Sequence, residues 1–238
     1  MDTPLRPAFL LVHGSWHGPW CFDLLRTALE LRGYASETVS LASVGDDPAR
    51  LGTFADDAAT VTAAAAAMGA NTVVVGHSYG GAVVAEASFG PNVRQFIMLG
   101  AFMPEIGRSY LSYFPPGPLP PFVGLRDDGS CILDRDLAVP FFFADCTPEI
   151  AAWAVERLRP QAQQVMGWAN TAASWHTRPT TYILLTEDKA IPPAVQRQFA
   201  ALASASREFT SSHSPFLSRP DDLADLLVDI AEGPPVAG

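Results

Sequence analysis

Short apolar runs alternate with amphipathic stretches along the first hundred residues. Residues 8–12 (AFLLV) are continuously apolar, which reads as a strand buried on both faces. Residues 20–32 place Leu24, Leu25, Ala28, Leu29 and Leu31 at helical spacing, and Gly33 closes that helix. A second strand is predicted over 35–40, followed by a loop holding Gly45, Asp46, Asp47 and Pro48. The Ala-rich stretch 51–68 is a good helix former. Residues 72–75 (TVVV) are β-branched and apolar, as a central strand requires. A helix over 80–89 and a buried strand over 95–99 follow.

The pattern changes between 102 and 178. Pro115, Pro116, Pro118, Pro120 and Pro121 crowd this stretch, Asp127-Asp128-Gly129 marks a turn, and only 148–158 reads as helical. The segment is expected to be a lid inserted into a core formed by 1–101 and 179–238. Alternation then returns with a strand at 181–185, a helix at 193–202, a short strand at 207–209 and a closing helix at 220–231. Strands alternating with helices predict an α/β fold, a parallel sheet with helices on both faces. The Pro/Gly-rich tail 233–238 is expected to fray.

Composition narrows the class. Of 238 residues, 48% are hydrophobic, enough to bury a large core. No stretch approaches the roughly 20 apolar residues that span a bilayer. Residues 1–7 lack a positive region followed by an apolar run, so no secretory signal is expected. A net charge of -10 argues against nucleic acid and, weakly, against anionic membrane surfaces, and identifies no partner by itself; a small-molecule substrate is the expectation. Cys21, Cys131 and Cys146 are widely spaced, with no CxxC and no zinc-type Cys/His grouping. Isolated reduced thiols in a cytoplasmic protein without metal or cofactor are the expectation.

The chemistry concentrates at Gly76-His77-Ser78-Tyr79-Gly80, followed by Gly81. It fits G-x-S-x-G with an apolar strand before it and a helix after it, the context of a nucleophile on a tight strand-to-helix turn. The alternative is a serine that merely caps the helix. A serine hydroxyl needs a base. Of the five histidines, His213 comes last in the chain, between the final short strand and the final helix, where this nucleophile–acid–histidine order puts the base. His77 adjoins Ser78 but is turned away by the sharp bend; His176 and His17 are weaker candidates, the latter for the pocket entrance. The acid belongs just beyond a strand, and the 181–185 strand runs into Thr186-Glu187-Asp188-Lys189. Asp188, set further into the turn, is preferred; Glu187 and Glu105 are the alternatives. Two backbone donors should hold a developing oxyanion: Tyr79 N–H, and Ser15 N–H from the loop after the first strand, which Gly14 allows to come close. Gly14, Trp16, His17, Phe142 and Trp175 are expected at the substrate, together with other aromatics of the lid.

Leu11-Val12-His13-Gly14-Ser15-Trp16-His17-Gly18-Pro19-Trp20, the GHSYGG run, Glu187-Asp188-Lys189-Ala190-Ile191-Pro192 and His213 together resemble the α/β-hydrolase superfamily. Within it the chain is similar to the branch of plant methyl esterases and hydroxynitrile lyases and their bacterial relatives. The resemblance implies a compact, roughly six-stranded sheet, favours Asp188 as the acid, and implies hydrolysis of an ester or similar acyl bond through an acyl-enzyme. The lyases of that branch carry threonine at the place of Gly14 and lysine at that of Ser214; neither is present. The esterases usually carry methionine at the latter place. Two other classes stay open: carbon–carbon lyase or hydrolase chemistry on the same triad, revealed by cyanohydrin cleavage without ester turnover, and a ligand receptor with very slow turnover.

Overall fold

The computed structural model describes residues 6–233, so the ends of the chain, including most of the 233–238 tail, lie outside the described residues. The first half runs β1 (Ala8–Val12), α1 (Asp23–Leu31), β2 (Ser36–Thr38), α2 (Phe54–Ala67), β3 (Thr72–His77), α3 (Tyr79–Glu86) and β4 (Val93–Leu99). An insertion follows with β5 (Val123–Leu125), β6 (Ser130–Leu133), α4 (Arg135–Phe142), α5 (Pro148–Arg157) and β7 (Gln161–Ala162). The chain closes with β8 (Thr180–Leu185), α6 (Pro193–Ala200), β9 (Ala205–Phe209), α7 (Pro215–Ser218) and α8 (Pro220–Glu232).

The main sheet has six parallel strands in the order β2-β1-β3-β4-β8-β9. The apolar runs occupy its centre: every residue of β3 and β8 is buried, whereas the edge strands β2 and β9 are partly exposed. From β1 the chain moves outward to β2, then returns past β1 to β3 and continues the other way to β4. Connections leaving the C-terminal ends of β1 and β3 therefore diverge, which opens a crevice there. The His13–Trp16 loop and Ser78 lie at that crevice because each directly follows one of these two strands.

Boundaries shift from the sequence expectation for local reasons. The helix expected from 51 begins at Phe54, because Thr53 and Asp56 form a reciprocal capping box: Asp56 N–H donates to Thr53 Oγ1 and Thr53 N–H donates to Asp56 Oδ2. The helix expected over 20–32 starts as a 3₁₀ turn at Pro19–Phe22. The helix after Ser78 ends at Glu86 rather than 89. The insertion contains a three-stranded antiparallel sheet, β5-β6-β7, that the sequence pattern does not reveal; its strands are two to four residues long, too short for periodicity to register. The turn expected at 127–129 is the β5–β6 hairpin, with Gly129 at φ 81°. Among the described residues no helix is long and apolar enough to cross a membrane.

Glycines let α3 sit directly on the sheet. A Cβ on Gly80 would lie 2.6 Å from the carbonyl oxygens of both Val12 and His13, and one on Gly81 would lie 2.5 Å from that of Phe102. Backbone meets backbone here, so nothing can rotate aside. Gly80→Ala should therefore destabilise the fold by about 1–3 kcal/mol or more, as overpacked cores do, read as a lower urea midpoint; a midpoint equal to wild type would contradict this packing.

Candidate active site

Strand β3 ends at His77, and Ser78 reverses the chain into α3 with φ 54° and ψ −125°. A non-glycine residue holds such a backbone only where its surroundings over-determine it. They do so here: Ser78 N–H donates to Leu99 O (3.4 Å), and Ser78 O accepts from Gly81 N–H (3.0 Å) and Phe102 N–H (3.1 Å). The Ser78 side chain makes no capping hydrogen bond to α3, so the helix-cap alternative does not hold. It lines a cavity instead, shared with Ser15, Trp16 and His213.

The loop after β1 is pressed against this serine. A Cβ on Gly14 would stand 2.8 Å from Ser78 Cβ, 3.1 Å from His77 Nδ1 and 3.3 Å from Ser78 Oγ. Two buried imidazoles brace the loop. Leu41 N–H donates to His13 Nε2 (3.2 Å), which leaves the proton on Nδ1 to donate to Gly14 O (2.9 Å). His17 Nδ1 donates to Ser15 O (2.7 Å). Because a trans peptide points its N–H opposite to its C=O, tying Gly14 O to His13 turns the Ser15 N–H away from that ring. Burial lowers the pKa of His13 to about 4 and that of His17 to about 3, so both rings are neutral at pH 7.

Beyond β8, Asp188 is buried and its carboxylate is fully occupied. Oδ1 accepts from Ala190 N–H (2.8 Å) and Ile191 N–H (2.9 Å); Oδ2 accepts from Gln196 Nε2 (2.9 Å) and His213 Nδ1 (2.7 Å). Of the two alternative acids, Glu187 is exposed, and Glu105 pairs with His176 at the surface (3.2 Å). Donation from His213 Nδ1 leaves Nε2 as the ring's acceptor, and Nε2 has no hydrogen-bond partner. The rest of the His213 loop is held from below: His77 Nε2 donates to His213 O (2.9 Å), and the two rings lie 4.6 Å apart. Burial keeps His77 neutral by lowering its pKa well below the usual imidazole value. Tyr79 points its hydroxyl away from the cavity to buried Asp57 (2.7 Å), whose own pKa is raised by burial.

The cavity is almost wholly apolar. Phe102, Phe122, Phe142, Met166 and Ile191 form much of its wall, with Tyr110 among them. Its free space is about 40 Å³, room for only a few waters. Trp16 and Phe142 reach it as expected. His17 does not: it is 1% exposed and packs among Trp20, Phe142, Phe143 and Phe216. Trp175 does not either; its Nε1 donates to Pro104 O (3.2 Å) and its ring stacks on His176, away from the cavity. Both lie where side-chain direction, not sequence spacing, decides. Tyr110, Phe102 and Met166 carry no sequence signal. Ile191 has one, since it follows the acid turn whose carboxylate binds its amide. Among the described residues no group of three or more His, Cys, Asp or Glu could hold a metal ion.

Residues 9–226 match the model of the Alpha/beta hydrolase family. The chain belongs to this family. Alpha/beta hydrolase nvfD of Aspergillus novofumigatus is 28% identical over 95% of this chain and 97% of its own length. Methylesterase 7 of Arabidopsis thaliana is 26% identical over 98% of this chain and 99% of its own. The crystal structure of a pyrethroid hydrolase from Sphingobium faniae superposes with a TM-score of 0.84 at 24% identity, covering 97% of this chain and 99% of that one, a likeness of fold. The protein is thus an esterase-like α/β hydrolase on the six-stranded sheet of the fold, similar to plant methylesterases and bacterial hydrolases.

The neutral buried histidines make this site acid-sensitive. Their folded pKa values lie below the ordinary imidazole value of 6.5, so the folded state binds fewer protons than the unfolded one below that pH. Stability is unaffected above pH 6.5 and falls as the pH drops towards about 4 for His13 and about 3 for His17. The thermal midpoint should fall across this window, and His17→Phe should flatten part of the slope; an unchanged slope in that variant would contradict the assignment.

Proposed function

We propose that this α/β hydrolase is a serine esterase that cleaves a carboxylic ester of a small apolar or aromatic substrate through an acyl-enzyme on Ser78. The observation that carries the reading is that His213 lines the same cavity as the strained Ser78 with its Nε2 unpartnered, while Asp188 locks the opposite ring nitrogen. The Ser78 hydroxyl swings onto Nε2, which accepts its proton as Oγ attacks the ester carbonyl. The amides of Tyr79, at the free first turn of α3, and of Ser15 hold the oxyanion. His213 then protonates the departing alkoxide, and water activated by the same nitrogen releases the acid. Asp188 keeps the tautomer and stabilises the transient imidazolium.

The wall of the cavity supports the substrate class, since an ester with an apolar or aromatic acyl group or alcohol loses little on leaving water for Phe122 and Phe142. With so little free space, these side chains must move aside to admit it. No cofactor or metal enters the scheme. The net charge supports a small molecule rather than nucleic acid as the partner, and free Cys21, Cys131 and Cys146 fit a reducing, cytoplasmic setting. The lyase alternative is disfavoured at Gly14, where even a Cβ would crowd Ser78, and by Ser214 in place of lysine.

Rates on a panel of methyl and p-nitrophenyl esters test this reading. Ser78→Ala should lose about 3 to 6 orders of magnitude in kcat. Aryl or long-chain esters should exceed acetates; the reverse order would remove the apolar-substrate part. Turnover retained in Ser78→Ala, or cyanohydrin cleavage without ester hydrolysis, would overturn the mechanism.

A further inference from the structure

One carboxylate of the insertion holds the histidine loop, and the scheme above gives it no role. Asp145 sits between α4 and α5. It accepts from Ser211 Oγ (2.8 Å), Ser212 N–H (2.9 Å), Ser212 Oγ in a short hydrogen bond, and Ser218 Oγ (3.0 Å). Ser211 and Ser212 immediately precede His213 and are 1% and 2% exposed; Ser218 ends α7, which follows it. Burial alone would raise the pKa of Asp145, but the hydrogen bonds from Ser212, Ser211 and Ser218 outweigh it and hold the carboxyl below its usual range. A few residues earlier the same segment lays Phe142 edge-on against the His213 ring, with centroids 4.9 Å apart.

The loop has other holds as well: Glu187 N–H donates to Ser211 O (3.1 Å), His77 Nε2 donates to His213 O (2.9 Å), the His213 ring donates to Asp188, and Arg219 donates to Thr210 O (2.6 Å). The Glu187 bond grips the Ser211–Ser212 peptide by its carbonyl, and Asp145 grips the same trans peptide by its N–H, so the two together fix the plane from which the chain runs into His213. Asp145 also takes the hydroxyls of Ser211, Ser212 and Ser218 and so ties that peptide to the insertion. Resting on the serine-esterase reading, we propose that Asp145 is a positioning residue for His213. The cap then completes the catalytic geometry besides covering the substrate, because its carboxylate holds the loop so that the imidazole meets both Asp188 and Ser78.

A second clamp of the same kind offers the comparison. Glu86, on α3, accepts from Thr171 N–H (2.8 Å), Thr171 Oγ1 (2.6 Å) and Ala172 N–H (3.2 Å), joining the insertion to the core without touching the histidine loop. If Asp145 only anchors the cap, losing either clamp has the same consequence. If it positions His213, only the Asp145 variants slow the chemistry.

The test measures the rate at which a fluorophosphonate labels Ser78, alongside kcat and KM for a p-nitrophenyl ester, in wild type, Asp145→Asn, Asp145→Ala and Glu86→Ala, with thermal midpoints for each. The Asp145 variants should label about 10- to 100-fold more slowly, the scale of a displaced catalytic group, with the loss in kcat and KM little changed. Glu86→Ala should label at the wild-type rate even where its midpoint falls. A Ser212→Ala/Ser218→Ala double variant, which keeps the carboxylate and the Ser212 amide bond, should show an intermediate loss and covers the case in which the Asp145 variants do not fold. Wild-type labelling in folded Asp145→Ala or in the double variant, or an equal loss in Glu86→Ala, would overturn the proposal. Wild type that is not labelled at Ser78 would instead overturn the serine-esterase reading on which it rests.

Discussion

The hydrogen bond from His213 Nδ1 to Asp188 Oδ2 is the constraint on which the rest of the site depends. A buried carboxylate is tolerable only when its oxygens are satisfied, and Asp188 has four donors: two amides of its own turn, the Gln196 amide and the imidazole. Three of these four belong to the turn and to α6, so the Asp188 carboxylate is held independently of the histidine. The histidine then has one tautomer open to it. Its remaining nitrogen is left as an acceptor, and among the described residues the hydroxyl-bearing side chains that line the cavity with His213 are those of Ser15, Ser78 and Tyr110.

Sheet topology explains why these groups meet. The order β2-β1-β3-β4-β8-β9 makes the connections from β1 and β3 diverge, and the loops after β1, β3, β8 and β9 all emerge at the same sheet edge. Close approach is then a matter of side-chain size. Gly14 admits the β1 loop to within contact of Ser78, while Gly80 and Gly81 let α3 press on the sheet. The buried imidazoles do structural work in this frame. His13 and His17 brace the β1 loop, and His77 ties the strand before Ser78 to the loop of His213. Each is neutral because burial makes protonation costly, so a site crowded with histidines carries no standing positive charge of theirs.

The legible parts of the sequence were those where local chemistry and topology agree. The β-branched 72–75 run, the glycines around Ser78 and the acid turn at Asp188 each demand their structure locally, and chain order then singles out His213. What could not be read depends on contacts made across the fold. Trp175 and His17 look like pocket residues from their neighbours in sequence, but each is turned into the core. Tyr110 and Met166 reach the cavity from stretches without periodicity. The three short strands of the insertion are held by the β5–β6 hairpin, its pairing with β7 and the bridge from Gln161 of β7 to Val44 rather than by an apolar pattern of their own. Asp145 carries no signal in the sequence, because its partners lie more than sixty residues away.

The central claim is that Ser78, His213 and Asp188 act as one unit, and trapping the covalent intermediate tests it most directly. Wild type, His213→Ala and Asp188→Asn would be quenched during turnover of an aryl ester, digested, and the acyl group mapped by mass spectrometry. One acyl adduct is expected, on Ser78, absent in His213→Ala and strongly reduced in Asp188→Asn. An adduct on another residue, or one that forms on Ser78 at an undiminished rate without His213, would contradict it.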